Sequence, residues 1–163
     1  MLAKIAAYTE AHRPPTRLNE LKAICNQRKP ATASEAIALV VEHALETVPC
    51  AAVFVPTRTG TTARMISRFN PAVWLVAMSH DPAVCQGLAF SYGVHPIQCA
   101  HEPDSWRDFA EQWLREHHVP GRIAMLVAGP STRNPNANHR LEFLRVGEQQ
   151  SAADSSRSTP ATA

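Results

Sequence analysis

The chain has 163 residues, 45% of them apolar and 18% charged, with a formal net charge of +2. That length allows one ordinary domain with a real core and is short for two, and the composition is neither that of a disordered chain nor that of a fibrous one. The small charge, with Lys and Arg scattered along the sequence, leaves no electrostatic footprint for a nucleic-acid partner.

In chain order, residues 2–12 place Leu2, Ile5, Ala6 and Thr9 on one helical face before Pro14-Pro15 ends the pattern, which predicts a short helix. Residues 16–32 are polar and irregular and read as a connection. Ser34 is a candidate N-cap for a helix carrying Ile37, Val40, Val41, Ala44 and Leu45 at helical spacing. Beyond it, apolar runs of strand length alternate with helical ones. Ala51–Pro56, Val73–Met78, Val94–Gln98, Ile123–Val127 and Leu141–Val146 read as strands, and Thr62–Phe69, Asp81–Tyr92 and Pro103–His118 as helices. Continuously apolar strands joined by helical crossovers predict an α/β fold, a three-layer α/β/α sandwich on a mostly parallel five-stranded sheet. The last connection, 129–140, has no helical pattern, so the final strand is expected to be antiparallel. From Glu148 onward no large apolar residue occurs, and the tail 148–163 is expected to be disordered.

The N-terminus lacks the features of a signal peptide, and no apolar run is long enough to span a bilayer. The expectation is a cytoplasmic protein with reduced thiols and no membrane partner. Cys25, Cys50, Cys85 and Cys99 are widely spaced, with no Cys-x-x-Cys pair and no His at ligand spacing, so no metal is expected. Cys85 and Cys99 read as buried small apolar residues without a cationic cluster to activate them.

The segment with chemical content is Thr57-Arg58-Thr59-Gly60-Thr61-Thr62, where a buried strand runs out into hydroxyls and one Gly before a helix opens. Ligands of open α/β sheets bind outside the carboxyl ends of strands, where a helix start offers unpaired N–H groups to an anion. Thr57, Thr59 and Thr62 add hydroxyl donors, Arg58 a charge, and Gly60 freedom for close approach or a positive φ. The ligand expected from these groups is a phosphate. The loop has neither the Walker Gly-Lys-Ser/Thr nor the dinucleotide Gly-x-Gly-x-x-Gly pattern. An alternative stays open on the residues alone: Thr59 or Thr61 caps the helix and Gly60 serves the turn.

Other groups read as structural. Trp106, Phe109, Ala110 and Trp113 form a packing stripe on one helical face. Asp81-Pro82 is an N-cap followed by an N1 proline. His117 and His118 are adjacent, point in different directions on a helix, and read as solvated residues near its C-terminus.

Three further segments add a family resemblance. Thr57–Pro71, Trp74–Pro82 and Leu88–Pro96 follow one another as a hydroxyl- and Gly-bearing loop with a Ser67-Arg68-x-x-Pro71 turn, a strand ending in Ser79, and Tyr92-Gly93-Val94-His95-Pro96. In order and spacing they resemble the C-terminal α/β domain of pyruvate kinases. Thr32–Ala38 is similar to that domain's entry helix, and Met1–His12 to the last helix of the catalytic barrel. The resemblance implies a division into 1–15 (barrel end), 16–147 (the α/β domain) and the tail. It implies that Thr57, Arg58, Thr59, Gly60, Thr61 and Thr62 hold the phosphate of an effector, a sugar phosphate or a nucleotide monophosphate. A second effector loop falls on Ser131, Thr132 and Arg133, where the family's Trp is missing, which favours a monophosphate. Because the family's catalytic groups, with their Mg and K ions, lie on the barrel, the resemblance implies no cofactor and no catalysis by this chain alone. The partners it implies are a phosphorylated small molecule and either a second copy of the chain or a pyruvate kinase barrel chain.

Overall fold

The computed structural model describes Lys4, Tyr8, His12 and residues 32–129 and 139–147. Lys4, Tyr8 and His12 are helical, and Tyr8 stacks on His12 at a ring separation of 4.0 Å. The order of the remaining elements is α1 (Ala33–Thr47), β1 (Ala52–Pro56), α2 (Thr61–Ser67), β2 (Trp74–Ser79), α3 (Pro82–Leu88), β3 (Val94–Gln98), α4 (Trp106–Glu116), β4 (Ile123–Ala128) and β5 (Arg140–Arg145).

The strands lie in the order β3-β2-β1-β4-β5. Parallel pairing joins β1 to β2, β1 to β4 and β2 to β3, while β4 and β5 run antiparallel with Ala128 opposite Arg140. The antiparallel last strand is the one expected of a connection whose sequence has no helical pattern.

Alternation along the strands divides the core in two. Val53, Val55, Leu75, Ala77, Met125 and Val127 face a layer that includes Ala38 and Val41 of α1, Ala63 and Ile66 of α2, and Leu88 of α3. Ala52, Phe54, Val76, Ala124 and Leu126 face Ala110, Trp113 and Leu114 of α4. The expected aromatic stripe is therefore core, with Trp106 and Phe109 packed at its margin. β5 closes the sheet with charge at the edge, since Arg140, Glu142 and Arg145 are exposed, an arrangement that discourages strand addition.

Several boundaries move for identifiable reasons. Thr32, not Ser34, caps α1: it is extended (φ −138, ψ 156) and its Oγ1 accepts from the Glu35 N–H at 3.2 Å, leaving Ser34 inside the first turn. α4 starts at Trp106 rather than Pro103, because Ser105 Oγ accepts from the Asp108 N–H at 3.2 Å. α3 stops at Leu88 rather than Tyr92, where the Ser91 N–H closes a turn onto the Leu88 carbonyl. Its start is as expected, with Asp81 Oδ1 accepting from the Ala83 N–H at 2.8 Å and Pro82 in the first turn. Cys50 is buried, whereas Cys85 and Cys99 are only half-buried, and all three are free. Burial pushes each of these thiols up from its ordinary value. Burial, with Glu46 contributing repulsion, also raises the carboxyl of Glu42, whose Oε2 is buried with no hydrogen-bond partner among the described residues. No described helix is long and apolar enough to cross a membrane. The expected tail 148–163 and Cys25 lie outside the described residues.

Candidate functional site

The strand order reverses at β1. From β1 the chain moves to β2 and β3 on one side, then returns through α4 to place β4 on the other. Crossovers on opposite faces leave a crevice at the carboxyl ends of β1 and β4, the general position of ligand sites in such sheets. Two segments leave from that point: the loop after Pro56 and the connection after Ala128.

The first loop is built around Gly60. The Thr57 N–H still ladders onto the Met78 carbonyl of β2 at 2.8 Å, so the loop starts from a fixed point. The Gly60 N–H donates back to Thr57 Oγ1 at 2.9 Å, closing a tight turn. Gly60 is left-handed, with φ 76 and ψ 0, and its α-carbon is so enclosed that an added Cβ lies 3.2 Å from Leu88. Both observations require glycine.

Gly60 is also the N-cap of α2, and it brings no side-chain hydrogen bond to the helix. Neither Thr59 nor Thr61 caps it; their hydroxyls bond each other at 2.9 Å. The reading of this loop as a threonine cap is thereby corrected, because the left-handed turn places the glycine at the cap position. The N–H groups of Thr61 and Thr62, in the first turn, consequently have no capping acceptor.

Two arginines flank these donors in sequence. Arg58 is exposed and makes no hydrogen bond or ion pair among the described residues. Arg64, one turn into α2, donates from Nη1 to the Thr59 carbonyl at 3.2 Å. Its other nitrogen, Nη2, lies 3.0 Å from where a Cβ on Gly87 would stand, so the glycine of α3 leaves space for the guanidinium. No acidic residue occurs between Thr57 and Phe69. Donor-rich, cationic and free of carboxylates, the loop suits an oxyanion such as phosphate.

The structure thus brings Thr57, Arg58, Thr59, Gly60, Thr61 and Thr62 together on one turn. Ser131, Thr132 and Arg133 lie outside the described residues, although Gly129, which starts their segment, leaves β4 beside β1. Sequence reasoning missed Arg64; its spacing, one helical turn beyond Gly60, was the available signal. A surface groove of about 550 Å³ lies not at this loop but around the other end of α2, lined by Arg64, Arg68, Asn70, Ser91 and Tyr92 among others.

His117 is exposed at the end of α4, as expected of a solvated residue there, and it also packs. Its ring stacks on Trp113 at 4.2 Å and its Nδ1 lies 2.9 Å from the Trp113 carbonyl, while His118 is exposed in a left-handed turn (φ 53).

Comparison with known proteins covers the same region. Residues 35–139 match the family described as pyruvate kinase, alpha/beta domain. The pyruvate kinase of Thermococcus litoralis is 43% identical over 109 residues, which is 66% of this chain and 23% of that protein. That of Lactobacillus delbrueckii subsp. bulgaricus is 26% identical over 126 residues, 74% of this chain and 21% of that protein. Among solved structures, Cryptosporidium parvum pyruvate kinase in complex with ADP superposes with a TM-score of 0.63 at 25% identity, over 80% of this chain and 27% of that one. The chain therefore spans about a quarter of the length of the relatives it matches.

Proposed function

The chain belongs to the pyruvate kinase α/β-domain family, and from that premise we propose that it is a regulatory module that binds a phosphorylated metabolite at Thr57–Thr62 and does not itself transfer phosphate. The ligand class is a sugar phosphate or a nucleotide monophosphate. The observation that carries this reading is the left-handed Gly60 turn, which leaves α2 without a side-chain cap, with Arg58 before it and Arg64 after it in sequence. Phosphoryl transfer from an enol phosphate to a nucleotide needs divalent-metal carboxylates and a positioned Lys. No stretch of this loop supplies them.

Thermal melting in the presence of sugar phosphates and nucleotide monophosphates tests the reading. A ligand held only by the folded chain stabilises it by about 2.7 kcal/mol at 100 times its dissociation constant. The double variant Arg58→Ala, Thr59→Ala is expected to lose most of that shift while melting close to the unaltered chain without ligand, because both residues are exposed. An unchanged ligand shift in the double variant places the phosphate elsewhere.

One observation favours a partner chain as well. Trp74 (50% exposed), Phe90 (94%) and Tyr92 (49%) gather where β2 and β3 begin, the end of the sheet opposite the loop. Exposed aromatic surface of this kind is characteristic of an interface. A second copy and a pyruvate kinase barrel chain are the two occupants consistent with the family, and sedimentation velocity separates them. A concentration-dependent dimer supports the first. A monomer that gains pyruvate kinase turnover when mixed with a barrel polypeptide supports a split enzyme, and a monomer indifferent to the barrel removes both.

A further inference from the structure

His95 and His117 are separated by 22 positions in sequence and meet in the fold. His95 lies on the edge strand β3, opposite Val76 of β2, and so on the sheet face that α4 covers. His117 is the C-cap of α4. Their ring centroids are 5.1 Å apart with the planes inclined at 75°, and both rings contact Trp113, His95 edge-on at 5.5 Å and His117 stacked at 4.2 Å.

This separation falls within the range that a two-histidine chelate spans. An imidazole nitrogen binds a transition ion at about 2.0–2.1 Å, which puts the ring centroid about 3.2 Å from the metal, and ligand angles of about 90–110° then set two centroids roughly 4.5–5.2 Å apart. The His117 ring is also prepared for the role. The Trp113 carbonyl can only accept, so Nδ1 carries the proton of that 2.9 Å bond and Nε2 is left with a free lone pair. A backbone carbonyl that fixes the tautomer of a histidine is the usual outer partner of a metal-binding imidazole. His95 makes no hydrogen bond among the described residues, so its ring nitrogens have no competing protein partner there.

We propose that His95 and His117 form a two-histidine chelate for a borderline divalent transition ion of the Ni²⁺, Cu²⁺ and Zn²⁺ class, tying the edge strand β3 to the end of α4. Imidazole ligands select these ions over Mg²⁺ and Ca²⁺. Among the described residues no group of three or more His, Cys, Asp and Glu is placed to hold a metal, so the remaining coordination positions belong to water. A chelate that joins two elements of the folded state, and that the unfolded chain cannot preform, raises the melting temperature.

Isothermal titration of the tag-free chain with Ni²⁺ at pH 7.5 is the test, with melting followed in parallel. The expected result is one saturable site, a raised melting temperature, and at least a tenfold loss of affinity in both His95→Gln and His117→Gln. The neighbouring variant His118→Gln is expected to bind as the unaltered chain does, and the double variant His95→Gln, His117→Gln no more weakly than either single one. His117 is exposed at a helix end, so His117→Gln keeps the fold and remains informative if His95→Gln melts early without metal. Absence of a saturable site, undiminished affinity in His117→Gln, or an equal loss in His118→Gln overturns the proposal.

Discussion

Replacing Phe54 with Ala is expected to lower the stability of the fold by about 3–5 kcal/mol, the range for removing a buried aromatic ring. Phe54 is fully buried in the central strand, in register with Val76 of β2 and Leu126 of β4. Its ring meets Phe109 edge-on at 5.9 Å and Trp113 edge-on at 5.8 Å, both from α4. Neighbours fixed on a sheet and on a single covering helix have little freedom to collapse into the space, which puts the cost toward the upper end. Against a total stability of about 5–15 kcal/mol, such a loss is a large fraction of the whole. Urea unfolding should show it as a lower midpoint at an unchanged slope. Val40→Ala, on the exposed side of α1, provides the contrast and should stay within about 0.5 kcal/mol.

Gly60→Val is expected to be the most damaging change in the loop, at about 2–4 kcal/mol. A β-branched residue at φ 76 is strained, typically by 1–3 kcal/mol, and its Cβ lies 3.2 Å from the buried Leu88 side chain, which adds overpacking. Gly60→Asn separates the two contributions. Asparagine tolerates the left-handed region, so it recovers part of the backbone strain and none of the contact. If Gly60→Val melts like the unaltered chain, the left-handed turn is not what holds the loop. If it folds, the phosphate-dependent shift should be gone, because the turn that presents the Thr61 and Thr62 N–H groups has been opened.

The strands were legible because a parallel sheet covered on both faces demands unbroken apolar runs, and Val53-Phe54-Val55 and Leu75-Val76-Ala77-Met78 are such runs. The turn of the loop was legible for a related reason: a Gly between a buried strand and a helix supplies a positive φ, which Gly60 adopts. Helix boundaries were less so, because Thr32 and Ser34 are both competent caps and only the backbone conformation decides between them. Arg64 and the pairing of His95 with His117 were hidden for a different reason. Arg64 reaches its loop through a side chain six bonds long, and the two histidines are joined by a crossover that no local spacing reports. Ser131, Thr132 and Arg133, expected as a second effector loop, are outside the described residues.

The position of β1 has a consequence for synthesis. It is the first of the described strands in chain order and the innermost in the finished sheet, and its β4 neighbour follows only after residues 57–122, a gap of 66 positions. At about 5–20 residues per second, β1 waits roughly 3–13 s with one side unpaired. During that wait Ala52–Pro56 is an apolar strand with a bare row of backbone donors and acceptors, the kind of edge that recruits other chains. Pairing with β2 and coverage by α1 and α2 protect one side and one face early. The other side depends on the arrival of β4, so the nascent sheet stays most exposed to aggregation until that strand has been made.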